Sequence, residues 1–60
     1  MESFVIKYAN FRIDEIWNSS AAQGEKNTAI NQISETVIDY KCGYISVNDA
    51  MRIISNIETN

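Results

Sequence analysis

The sequence predicts an all-α fold, a long N-terminal helix followed by a C-terminal helical hairpin, within a single domain of 60 residues. Three observations predict it. Two consecutive segments in the second half of the chain place apolar residues at the three- and four-residue spacing of a helix face. Between them, Gly43 and Ser46 set a helix stop against a helix start. The N-terminal third shows the same periodicity when read as one helix.

That first segment admits two readings. As a helix from Ser3, it aligns Ile6, Ala9, Ile13, Ile16 and Trp17 on one broad face, with Phe4, Tyr8 and Phe11 beside it. As a strand, Ser3 to Ala9 alternates Phe4, Ile6 and Tyr8 against Val5, Lys7 and Ala9, and Asn10 would cap a helix from Phe11 to about residue 18. The helix is favoured, since a lone strand needs a second chain to pair with.

The small-polar stretch Asn18–Asn27 reads as a loop. A continuous helix through it is the alternative, because Ala21, Ala22, Gln23, Glu25 and Lys26 are good helix formers and one glycine costs only about 1 kcal/mol. From Asn27 to Lys41, Ile30, Ile33, Val37 and Tyr40 form the apolar stripe of a second helix, widened by Ala29 and Ile38.

Gly43 ends that helix: with no Cβ it can adopt the left-handed conformation, leaving Tyr44 to fold back on Ile38. Ser46 begins the next. Its hydroxyl can accept from the Asp49 N–H, and Asp49 can reach back in the manner of a capping box. The third helix runs from Val47 to about Ile57, with Val47, Ala50, Ile54 and Ile57 on one face, Met51 and Ile53 flanking them, and Asn48, Asp49, Arg52, Ser55 and Asn56 turned away.

Composition narrows the function. A chain this short buries only about 60% of its unfolded surface, and small domains reinforce thin cores with disulfides, a metal or a partner. Cys42 is the only cysteine and histidine is absent, which leaves no internal disulfide and no Cys/His zinc site. Cys42 itself reads as a small semi-buried hydrophobe. Self-association or a protein partner remains.

Net charge is −3, and the cations Lys7, Arg12, Lys26, Lys41 and Arg52 are scattered. Nucleic-acid phosphates call for clustered ones. The apolar run Phe4-Val5-Ile6 is broken by Lys7, and no long apolar segment follows, so neither a signal peptide nor a membrane span is expected. The expected location is the cytoplasm.

Catalysis finds little support. Histidine is missing, Cys42 has no evident base, and adjacent carboxylates such as Asp14 and Glu15 point about 100° apart on a helix. No enzyme and no cofactor are expected. Gly43 to Asp49 shares with an EF-hand loop a glycine followed two residues later by isoleucine. Ile38, Tyr40 and Cys42 would then occupy ligand positions, and none is a hard oxygen donor.

Two other classes are open to this sequence, a DNA-binding regulator of either of two types and a small-ligand sponge. A ribbon-helix-helix DNA reader would use the N-terminal strand, with Gly43, Ser46, Asp49, Ala50 and Arg52 at the entry to its second helix, but only Lys7 is basic in the strand and Phe11 to Cys42 is too long for its first helix. A helix-turn-helix regulator would read bases with Asn48, Arg52, Ser55 and Asn56. An oligomeric sponge for a small anionic ligand such as a nucleotide would use helix N-termini and lysines around an oligomer axis.

The aromatic residues point elsewhere. Phe4, Tyr8, Phe11 and Trp17 crowd the N-terminal third, and a small domain cannot bury them all together with ten isoleucines. The expectation is a non-enzymatic, acidic binding or regulatory protein, a homo-oligomer that occupies a site on a larger protein as an inhibitor or adaptor. Phe4, Tyr8, Phe11 and Trp17 would anchor it, and Asp14 and Glu15 would steer it toward a basic surface. The Ile- and Asn-rich, proline-free composition hints at an AT-rich genome, and the expected type is one encoded by phages, mobile elements or low-GC bacteria.

Overall fold

A computed structural model describes residues 3–58 as three helices, α1 (Phe4–Trp17), α2 (Gln23–Lys41) and α3 (Val47–Asn56). Each helix packs against both others, in a body 32 × 20 × 15 Å across. The all-α expectation is met, and the strand alternative is overturned. Ser3 is the N-cap of α1, its hydroxyl accepting from the Val5 N–H at 3.2 Å. Burial decides this segment against its β propensity: the helical spacing sends Val5, Ala9 and Ile16 into the core together.

The core-facing residues of α1 differ from the expected set. Val5 is fully buried, Ile6 is only half-buried, and Trp17 is 56% exposed. The inward stripe is therefore Val5, Ala9 and Ile16, with Tyr8, Arg12 and Ile13 along its margins.

The loop is shorter than expected, because α2 begins four residues early at Gln23. Glu25 lies in the first turn, where the helix dipole favours an acid, and the Gln23 amide donates to the Asn27 side chain at 3.0 Å. Gly24 also sits in that turn, where its propensity cost is smallest. Lys26 ties the new start to α1, its Nζ donating to the Trp17 carbonyl at 2.9 Å.

The joint between α2 and α3 forms as its residues predict. Gly43 has φ of +82°, the Gly43 N–H donates to the Tyr40 carbonyl at 3.1 Å, and the Tyr44 N–H donates to the Asp39 carbonyl at 2.9 Å. Those are the two bonds of a Schellman end. Its apolar half shields little, since Tyr44 is 79% and Ile38 57% exposed. The Ser46 hydroxyl accepts from the Asp49 N–H at 3.1 Å as expected, whereas the Asp49 carboxylate turns to Arg52 instead of back to Ser46. Cys42, expected to be semi-buried, is exposed at the C-cap.

Each helix contributes one alanine and one β-branched residue, four positions apart, to the centre: Val5 and Ala9, Ala29 and Ile33, Ala50 and Ile54. The alanines let the backbones approach while Val5, Ile33 and Ile54, all fully buried, fill the space between. Thr36 is also buried, and its hydroxyl is satisfied by the Gln32 carbonyl at 2.8 Å.

Candidate functional site

Capped at Ser3 and packed along its inward stripe, α1 presents its opposite side to solvent. At about 100° per residue, Phe4, Lys7, Phe11, Asp14 and Asn18 fall within an arc of about 80° on that side. All five are exposed, with Phe4 at 78% and Phe11 at 60%.

Tyr8 braces this face from the edge nearest α3. Its ring is half-buried and stacks on Phe11, with centroids 6.5 Å apart and planes inclined by 23°. The Ser55 hydroxyl gives its one proton to the Met51 carbonyl at 2.7 Å, so Tyr8 must be the donor in its 3.0 Å bond to Ser55. Phe11 thus leans on a ring tied to another helix.

Of the other expected partner-binding residues, Asp14 shares that face, whereas Trp17 and Glu15 do not. Trp17 lies on the edge toward α2, with Lys26 Nζ 6.0 Å from its ring centroid. Glu15 pairs with Arg12 from a half-exposed position. Asp14 stands on the outer face, and among the described residues it pairs with no cation.

Arg12 is the functional-looking residue that sequence reasoning missed. Its guanidinium reaches across to the C-terminal end of α3, donating to the Ile54 carbonyl at 3.5 Å and to the Ile57 carbonyl, and its side chain is 17% exposed. A cation there satisfies carbonyls that the helix end leaves open. The only forewarning in the sequence is a cation three residues ahead of an acid, which is too common a pattern to identify it.

The two duplex-reading alternatives lose features they relied on. No strand exists among the described residues to form a ribbon. In α3, Arg52 pairs with Asp49 at 3.1 Å and Ser55 is bonded to Met51 and Tyr8, so two of the four side chains assigned to base reading are engaged within the chain.

The described residues form both an open depression and a narrower groove. One, open and polar, lies between α2 and α3 with Glu35, Asp39, Glu58 and Arg52 on its walls. The other is an apolar groove of about 190 Å³ between α1 and α2, lined by residues including Ile6, Ile13, Val37 and Ile38. Among the described residues no three metal-ligating side chains converge, and no helix is long and apolar enough to cross a membrane. Neither protein-family models nor curated proteins nor solved structures show a match to the chain.

Proposed function

We propose that this chain is a non-enzymatic binding protein whose working surface is the outer side of α1, acting by occupying an apolar, basic-rimmed site on a larger protein as an inhibitor or adaptor. One observation carries the reading: Phe4 and Phe11 stand 78% and 60% exposed on a capped, well-packed helix. Burying a phenylalanine side chain against a partner is worth about 1.5–3 kcal/mol, so two such residues on one rigid face can form the centre of a binding hot spot. Rigidity matters because little ordering entropy is then lost on docking. Asp14 and the net charge of −3 favour encounter with a basic surface.

The test is capture of a protein from cell extract on immobilised wild-type chain, compared with a Phe4→Ser, Phe11→Ser variant of equal helicity. The proposal expects a species retained by the wild type and lost with the variant. Equal retention by both would overturn the assignment of the anchors. Asp14→Lys should slow association several-fold at low salt and change dissociation little, as read by surface-based kinetics.

A further inference from the structure

The outer residues of α1 follow the spacing of a helix-pairing seam. Phe4, Lys7, Phe11, Asp14 and Asn18 succeed one another at intervals of three, four, three and four, and every one is exposed. The spacing is that of the a and d positions of paired helices, filled here by two apolar residues, Phe4 and Phe11, and three polar ones, Lys7, Asp14 and Asn18. The inward stripe of the same helix is already covered by α2 and α3, so this seam is a second one with no partner inside the chain.

Its charges are placed as if for a copy of itself. Lys7 lies toward the N-terminal end of α1 and Asp14 toward the C-terminal end, each against the preference of the helix dipole. No acid occupies the first turn and no base the last. Among the described residues neither side chain forms an ion pair within the chain. Two turns separate them, about 10.5 Å along the axis, too far to neutralise each other.

We infer that two copies of this chain pair through α1 in antiparallel fashion about a two-fold axis beside Phe11, with Lys7 of each opposite Asp14 of the other. Parallel pairing sets Lys7 against Lys7 and Asp14 against Asp14, so charge selects the antiparallel arrangement. The two Phe11 rings then meet at the axis, and each Phe4 covers the last turn of the other α1. The two helix dipoles also run in opposite directions. Charged residues at seam positions fix register at a cost in affinity. A seam of 14 residues is about 21 Å long, which places the pair in the weak class that buries less than about 1,200 Å² in total. This inference rests on reading the outer side of α1 as an interaction surface, and pairing and partner capture exclude each other because they draw on the same residues.

Sedimentation equilibrium from about 10 μM to 1 mM, the range in which weak pairs form, tests it in reducing buffer so that Cys42 cannot cross-link copies. Wild type should move from monomer to dimer mass across the series. Lys7→Glu and Asp14→Lys, each of wild-type helicity, should stay monomeric, and the Lys7→Glu, Asp14→Lys double swap should restore the dimer. A wild type that is monomeric throughout, single variants that dimerise as well as wild type, or a double swap that fails to restore pairing would each overturn the inference. A monomeric wild type would leave the partner-binding proposal standing, since that is read from capture and its loss in the phenylalanine variant.

Discussion

At the scale of single residues, Arg12 does the most unexpected work. It joins α1 to the end of α3 across 42 and 45 residues of sequence while Glu15 offsets its charge. Replacing it with alanine removes charge-assisted bonds and a packed stem, and should lower unfolding free energy by about 2 kcal/mol in urea titration. Arg12→Lys should recover only part, because an ammonium lacks the forked geometry that serves two carbonyls. Gly43 makes the opposite contrast. A Cβ there would meet no atom within 4 Å, so the cost of Gly43→Ala is backbone strain alone, about 1–2 kcal/mol. In a domain of this size each 1 kcal/mol lowers the melting temperature by about 4–8 °C, which calorimetry resolves. Gly43 and Ser46 were legible in the sequence because stop and cap signals act within four residues. Arg12 was not, because its acceptors are main-chain carbonyls that any residue supplies.

At the scale of elements, burial outweighs local preference twice. Phe4-Val5-Ile6 has strand propensity, yet only the helix brings Val5 into line with Ala9 and Ile16. The helical period alone does not say which of two overlapping faces turns inward, so it points to Ile6 where Val5 is the buried residue. The second case is the start of α2, where a glycine and several polar residues suggested a loop. Lys26 bonded to the Trp17 carbonyl and Glu25 at the positive end of the dipole favour the earlier start. Gly24 has open space where a Cβ would go. Gly24→Ala should therefore stabilise the chain by about 0.5 kcal/mol, near the lower end for helix glycines because it lies in the first turn. No gain on calorimetry would mean that α2 starts later. The alanines of the core are equally specific: Ala50→Leu, at a fully buried position, should cost about 1–3 kcal/mol by overpacking in a denaturant titration.

At the scale of the whole molecule, a small core leaves more apolar surface than it can cover. Phe4, Phe11, Trp17, Ile38, Tyr44, Val47 and Ile53 are all at least 38% exposed. The aromatic surplus was legible from counting, but its division was not, because Tyr8 was tied to Ser55 and Trp17 set beside Lys26 by contacts between distant parts of the chain. What remains exposed on one rigid face is Phe4 and Phe11, interleaved with Lys7 and Asp14. The proposed pairing places a second copy of the chain against this outer face of α1. Amide chemical shifts of the ¹⁵N-labelled chain, compared between dilute and concentrated samples, test it most directly. Pairing through α1 gives concentration-dependent shifts confined to residues 4–18 and centred on Phe11. Shifts centred instead on Val37 and Ile38 in the α1–α2 groove, or on Glu35 and Asp39 beside α3, would contradict it.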